Sequence, residues 1–405
     1  MNATLRVAVL KFGGTSIDSP ERRAIASQRI VEARDDGYAV AVIVSAMGRD
    51  PQPYATDSLL ALIGGDSGSA NADMLLACGE QIAAAVFAEE LTRRGVPARA
   101  LSGAQAGILT DETPGDAAIL DVDPARVQAL LESGIVAVIA GFQGAASDGT
   151  PTTLGRGGSD LSAIAIGDAL LARRVDIYTD VSGVMSADPQ RVEGARPIAE
   201  ASFEEIAELA EHGARVMHRK AAALAHERSV RYSIKGLSGN SGTSIGAEYE
   251  PLRPVTAVTA SGRLTWVRAI RGDIENATHR MQTELEMFKR LAQAGISIDQ
   301  VTINQAGVAF AVLGDRGSEV RRLLGDLNLA TRVREGCSKL SIVGAGMRGM
   351  PGVVYQIVEA LSRANVEIIH ATDSNITVSV LVPEPDVTRA ESAVHAHFHL
   401  EEENA

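Results

Sequence analysis

Over its first 235 residues the chain alternates short apolar runs with amphipathic stretches, and then its texture changes. Strand-like runs rich in Val, Ile and Ala occur at 5–11 (LRVAVLK), 39–48, 98–103, 134–144, 175–180 and 230–236. Helical stretches lie between them at 20–36, 72–94, 124–132, 159–174 and 202–228, the last opening with Ser202 and Glu205 in capping-box spacing. Near-continuous apolar strands separated by helices predict an α/β domain with a parallel-type sheet sandwiched by helices. In such sheets ligands gather at the carboxyl ends of strands. Here those ends carry Lys11, Ser45, the GFQG of 141–144, and Thr179–Asp180.

A turn-rich stretch, 237–246, ends this pattern. Residues 264–330 and 338–400 then each read as strand, helix, strand, strand and a second helix. Phe288, Leu291, Ala294 and Ile298 recur at an offset of 70 as Val358, Leu361, Ala364 and Ile368. Unrelated helix–strand pairs have no reason to keep that spacing, so two small tandem α+β units are expected. The resulting division is 1–245, 246–335 and 336–405.

Two glycine-rich elements mark candidate chemistry. Lys11 to Ser16 reads KFGGTS directly after the first strand. Gly13 and Gly14 allow close approach of backbone N–H groups to an anion, and Lys11 adds a point charge suited to phosphate. The spacing is not that of a Walker A loop, and a plain Gly-rich strand-to-helix turn would look the same. The second element, TTLGRGGSD from Thr152 to Asp160, precedes a helix whose first turn holds Ser159 and Asp160. A helix N-terminus suits an anion, and the planar fork of Arg156 can hold a carboxylate bidentately. Each of these residues singly could be a loop cation or an N-terminal helix charge.

Glu80 falls on the face of its helix that carries Leu76, Phe87 and Leu91. A carboxylate on an apolar face is costly unless compensated, so Glu80 is either half of a buried pair with an arginine or a receptor for a ligand ammonium group. The segment 178–189, YTDVSGVMSADP, is rich in side-chain-to-backbone bonding residues. It suits the ribose and base of a nucleotide, or a tight surface loop.

Composition narrows the partners. The chain has 405 residues, 45% of them hydrophobic but only 3% aromatic, so its cores must rest on aliphatic packing. Net charge is −13 with dispersed basic residues, which argues against nucleic acid or an anionic membrane surface. Cys78 and Cys337 are far apart and lack metal-ligand spacing, so neither a disulfide framework nor a metal site is expected. Without a signal peptide or a run of 18 apolar residues, a soluble cytoplasmic protein is expected.

Taken together these segments resemble the aspartokinases, within the amino-acid kinase family. The matching stretches are KFGGTS, VSAMG (44–48) with Thr56 and Asp57, CGE (78–80), TTLGRGGSD, YTDVSGVMSADP and GARVMH (213–218), in family order. The stretch VGAGMRGMPG (343–352) and the paired small units resemble tandem ACT regulatory domains. The resemblance implies ATP- and Mg²⁺-dependent phosphorylation of the side-chain carboxylate of aspartate, an amino-acid effector, and a homodimer or higher assembly through the ACT units. It implies that Lys11 stabilises the moving phosphoryl group and Asp160 organises the centre. Glu80 would take the substrate amine and Arg156 its α-carboxylate, helped by Ser45, Thr56 and Ser159. Gly13, Gly14, Thr179, Asp180, Met185, Asp188 and Arg215 would line the nucleotide. An effector is expected near Gln300, Val301 and Thr302, or near Met350, Pro351, Gly352, Val353 and Val354. Where the family has a lysine, a proline and STSE, this chain has Arg215, Arg219 and Thr372–Asn375. A related carboxylate kinase of a specialised pathway and a weakly catalytic amino-acid sensor are the alternatives.

Overall fold

The apolar runs of the first half become a sheet of eight strands. The computed structural model describes residues 5–402 apart from 66, 215–216, 240–241, 247–252, 272–276 and 328. The elements follow as β1 (Val7–Phe12), α1 (Pro20–Asp35), β2 (Ala39–Val44), α2 (Thr56–Ala61), α3 (Ala70–Arg93) and β3 (Ala98–Leu101). Next come β4 (Ile108–Thr110), β5 (Ile119–Val122), α4 (Ala125–Glu132), β6 (Val136–Ala140), β7 (Gln143–Ala145) and β8 (Pro151–Thr153). The first half closes with α5 (Gly158–Ala169), β9 (Arg174–Thr179), β10 (Glu200–Ala201), α6 (Phe203–Glu211), α7 (Arg219–Arg228), β11 (Tyr232–Gly236) and β12 (Gly242–Ile245).

The large sheet runs β10-β12-β11-β9-β1-β2-β6-β3. Its central pairs are parallel, with Lys11 level with Ile43 and Ile177, and only β11–β12 is antiparallel. All six residues of β1 are buried, as both faces of the sheet are covered. The scarce aromatics concentrate here: Phe12 stacks on Tyr178 at 4.9 Å and meets Phe87 edge-on at 5.9 Å.

Two local expectations are corrected. The run 134–144 is not one strand, because Phe142 takes a left-handed φ of 67° and the chain leaves β6 for β7. With β4, β5 and β8, β7 builds a second sheet, β5-β4-β7-β8, that the hydrophobic pattern did not announce. The stretch 202–228 is two helices, α6 and α7, broken where Gly213 takes φ 111°. Its opening is as expected: Ser202 N–H donates to Glu205 Oε2 at 2.9 Å and Glu205 N–H to Ser202 Oγ at 3.1 Å.

The chain divides into two compact units, one of Met1–Val184, Pro197–Ala210 and Arg215–Tyr249, the other of Met185–Arg196, Glu211–Ala214 and Glu250–Ala405. The second unit holds β13 (Ala257–Arg271), α8 (Ala277–Gln293), β14 (Ile298–Asn304), β15 (Gly307–Leu313) and α9 (Gly317–Leu324). It continues with β16 (Leu329–Val343), α10 (Val353–Arg363), β17 (His370–Asp373), β18 (Thr377–Pro383) and α11 (Val387–His397). The strand–helix–strand–strand–helix order therefore occurs twice.

All six strands share one sheet, β14-β15-β13-β16-β18-β17. Its two long strands pair antiparallel and serve both repeats. A register shift between Ala260 and Arg263 divides β13. Past it, Val267 and Ala269 join Met287, Leu291 and Phe310 in the first core. Before it, Val258 and Ala260 join Leu340, Ile342, Ile357 and Leu361 in the second. The second repeat thus takes a strand from upstream of the first, and β16 runs unbroken across residues 335 and 336, where the sequence placed a division.

Candidate functional site

Lys11 is the penultimate residue of β1 and its ammonium lies 2.6 Å from Asp160 Oδ1. Both side chains are largely buried. Asp160 stands in the first turn of α5, where free N–H groups favour negative charge. The glycine-rich stretches at 11–16 and 152–160 are therefore brought together by this pair.

The two glycines after Lys11 have different reasons to be there. A Cβ on Gly14 would lie 2.2 Å from the Ala46 carbonyl oxygen, so only glycine fits. On Gly13 the nearest atom would be 3.7 Å away, the Tyr178 carbonyl, with Lys11 Nζ at 3.8 Å. The loop is sewn to the next strand end: Gly48 N–H donates to Gly14 O at 3.1 Å and Ser45 N–H to Phe12 O at 3.1 Å.

Behind that seam sits Glu80. It is 2% exposed on the inner face of α3, and its Oε1 accepts the Ala46 N–H at 3.0 Å. Oε2 has no hydrogen-bond partner. Burial pushes the carboxyl up to about 8. Among the described residues no arginine pairs with it, which leaves an open oxygen for a ligand cation. Gly79 lets α2 approach, since a Cβ there would be 3.0 Å from the Tyr54 carbonyl; Thr56 is the first residue of α2.

The Arg156 loop is held at both sides. Gly155 and Gly157 take left-handed φ of 76° and 72°, and a Cβ on Gly157 would lie 2.0 Å from His218 Cβ. Arg156 between them is exposed. Ser159 is buried, its Cβ 3.0 Å from where Gly141 would carry one. Thr179 Oγ1 donates to Asp180 Oδ1 at 3.1 Å, and Asp180 is ion-paired to Arg49 at 2.9 Å.

Three nucleotide candidates remain: Met185, Asp188 and Arg215. Met185 and Asp188 belong to the second unit. There Asp188 accepts Gln190 N–H at 2.9 Å and Arg191 Nε at 3.0 Å, and its own N–H donates to Glu391 Oε1 at 3.4 Å. Glu391 is fully buried on α11 and burial pushes it up to about 7, while His395 shares a 2.9 Å hydrogen bond with Ser186 and is pushed down by burial. Arg215 lies outside the described residues.

Several residues at this site escaped the sequence reading. Asp73, Asp116, Arg49, His218 and Tyr232 were not singled out. Asp73 had a legible signal, being two helical turns before Glu80 on the same face of α3. Lys220 pairs with Asp116. The His218 imidazole is pushed down by burial and the Tyr232 phenol up by burial and by Asp160.

In the second unit, Gln300 and Thr302 lie on β14 beside β17. Gln300 Nε2 donates to Thr372 Oγ1 at 3.4 Å, and His370 Nε2 lies 3.2 Å from Thr302 Oγ1. The last residue of β17, Asp373, and the following Ser374 and Asn375 line a cavity of about 500 Å³ together with Met350, Gly352, Val353 and Val354. Both expected effector stretches therefore meet β17. No helix among the described residues is long and apolar enough to cross a membrane.

Comparison with known proteins gives the following. Residues 6–235 match the amino acid kinase family and residues 340–398 the ACT domain. Aspartokinase 1 of Bacillus subtilis is 39% identical over 404 residues, 98% of this chain and 100% of that protein. E. coli aspartokinase III in complex with aspartate and ADP (R-state) superposes with a TM-score of 0.75 at 25% identity, over 97% of this chain and 100% of that one. The same enzyme with lysine and aspartate (T-state) gives a TM-score of 0.73 at 25% identity, over 97% and 99%.

Proposed function

The chain belongs to the aspartokinases of the amino acid kinase family, and from that premise we propose that it transfers the γ-phosphoryl group of ATP to the side-chain carboxylate of L-aspartate. The product is 4-phospho-L-aspartate with ADP. The observation that carries this reading is Glu80: a buried carboxylate with one oxygen tied to Ala46, the residue packed against Gly14 of the Lys11 loop, and the other oxygen open.

The chemistry follows from the charges. Two anions, a carboxylate and a triphosphate, must meet in line, and no protein nucleophile is needed. Glu80 receives the substrate ammonium and Arg156 its α-carboxylate, with Ser45, Thr56 and Ser159 beside them. Those contacts orient the side-chain carboxylate toward the phosphoryl group. Lys11 turns its ammonium from Asp160 to the equatorial oxygens as charge develops there. Asp160 holds Lys11 in place and keeps the empty site near neutral. Gly13, Gly14, Thr179 and Asp180 are proposed to line the phosphates and ribose.

Among the described residues no cluster of three His, Cys, Asp or Glu side chains could hold a metal ion. Mg²⁺ is proposed to enter on the nucleotide's own phosphates, where it would lower their charge. Regulation is assigned to the β17 cavity, and the exposed Val354, Tyr355 and Val358 of α10 support assembly at least as a dimer.

The test is hydroxylamine trapping of the acyl phosphate with ATP, Mg²⁺ and a panel of acidic amino acids. Aspartate is expected to give hydroxamate and glutamate far less, because an added methylene moves the carboxylate out of line. Equal turnover of glutamate, or none of aspartate, would overturn the reading.

A further inference from the structure

Helix α3 carries a second buried carboxylate that the proposed reaction does not use. Asp73 is 1% exposed in the first turn of α3. It is fully engaged: Gly115 N–H donates to both its oxygens at 3.0 and 3.2 Å, and Thr153 Oγ1 donates to Oδ1 at 2.5 Å. These hydrogen bonds offset the cost of taking the Asp73 carboxylate out of water.

What these bonds hold is specific. Thr153 is the last residue of β8, and the chain then runs straight into Gly155 and Arg156. Thr153 O also accepts the Ala117 N–H at 2.8 Å, so the 115–117 turn and the end of β8 form one assembly around Asp73. That turn presents Asp116 to the Arg156 loop. A Cβ on Gly155 would be 2.3 Å from Asp116 Oδ1, and Asp116 is ion-paired to Lys220 at the start of α7. His218, the N-cap of α7, closes on Gly157 from the other side. The exposed Arg156 thus stands on a loop whose two flanking glycines are fixed by groups traced back to Asp73.

We propose that Asp73 is a positioning residue for substrate recognition, holding the Thr152–Gly158 loop so that Arg156 meets the α-carboxylate of an amino acid whose ammonium rests on Glu80. This rests on the reading of Arg156 given above. One helix then sets the distance between the two recognition points. Glu80 touches the ligand, and Asp73 acts through Arg156.

The test is a double-mutant cycle on the full-length protein, with Asp73→Ala, Arg156→Ala and the pair. Aspartate and its α-carboxamide are compared as substrates, with ATP KM and melting temperature alongside. In each single variant the aspartate KM is expected to rise about tenfold or more, the preference for aspartate over the α-amide to collapse, and the ATP KM to stay within about twofold. The double variant should lose little beyond Arg156→Ala alone. Asp73→Asn, which keeps an acceptor for Gly115, should recover part of the loss. Thr153→Val cuts a single bond and serves if Asp73→Ala does not fold; it should move the same ratio by about threefold. Full additivity, an unchanged α-amide preference in Asp73→Ala and Thr153→Val, or an equal rise in both KM values would overturn the proposal. An Arg156→Ala enzyme with normal aspartate KM would instead overturn the assignment of Arg156 itself.

Discussion

Lys11 and Asp160 face each other at 2.6 Å across the gap between a strand end and a helix start, so the ammonium at the mouth of the site already has a counter-charge. Its role in transfer then requires exchanging one anion for another. Lys11→Ala is expected to lower kcat by about a hundredfold or more while the aspartate KM moves within about threefold, measured by steady-state kinetics. In Asp160→Asn the ammonium has no counter-charge, so ADP should bind at least as tightly while kcat falls. Calorimetric loss of ADP binding in that variant would contradict the pairing as a holding device.

Glu80 makes aspartate binding pH-dependent. Its carboxyl is raised from about 4.5 to about 8, so at pH 7 it is protonated in the empty site, and taking an ammonium requires its ionisation. Aspartate binding should release a proton near neutrality, and the aspartate KM should fall as pH rises from 6 to about 8. Glu80→Gln should raise KM and flatten that profile. Stability runs the other way. A carboxyl raised on folding contributes fully below about 4.5, and the contribution is lost as pH rises through about 8. Glu80→Gln should therefore melt above the parent at pH 9, with the gap closing by pH 5.

The two glycines after Lys11 offer a contrast in one dipeptide. Gly14→Ala puts a methyl 2.2 Å from the Ala46 carbonyl, and Ala46 is the residue that anchors Glu80. Gly13→Ala meets nothing closer than 3.7 Å at an ordinary φ of −66°. The first change should raise the aspartate KM severalfold and lower the melting temperature; the second should leave both near the parent values. Similar kinetics for the two variants would show that the seam between the loops is unimportant.

The capping box on α6 is separable from the chemistry. Ser202→Ala removes the acceptor for Glu205 N–H and should cost about 1 kcal/mol in denaturant unfolding, with kcat unchanged.

The β17 cavity is the place to uncouple regulation. Asn375→Ala and Met350→Ala, both in its lining, should raise the concentration of lysine, threonine or diaminopimelate needed for half-inhibition about tenfold without changing uninhibited kcat. Point changes are the better instrument than truncation. Removing 250–405 strips the partners of 185–196, among them the His395–Ser186 and Glu391–Asp188 contacts.

How much of this was legible in the sequence depended on the range of the interaction. The parallel strands carrying Lys11, Ser45 and Thr179, and the capping box at Ser202, follow from periodicity and local bonding. So does the burial of Glu80, because helical spacing places Leu76, Glu80, Phe87 and Leu91 on one face whatever packs there. The repeat at an offset of 70 was visible for the same reason: Leu291 and Leu361 are both buried at matching helix positions.

Tertiary structure decided which partner each local piece would take. Val258 and Val267 lie in the same strand, β13, and nothing in their own pattern sends the first to the second repeat and the second to the first. That assignment comes from pairing with β16 on either side of a register shift. The same holds for the polar groups. Glu80 could have been half of an ion pair, Lys220 a free cation and Asp73 a helix-terminal charge. Which carboxylate kept an open oxygen was settled by which N–H groups and cations the folded chain brought within reach. Periodicity along a chain specifies a face to be buried, whereas hydrogen-bond satisfaction depends on groups distant in sequence, and only folding makes them neighbours.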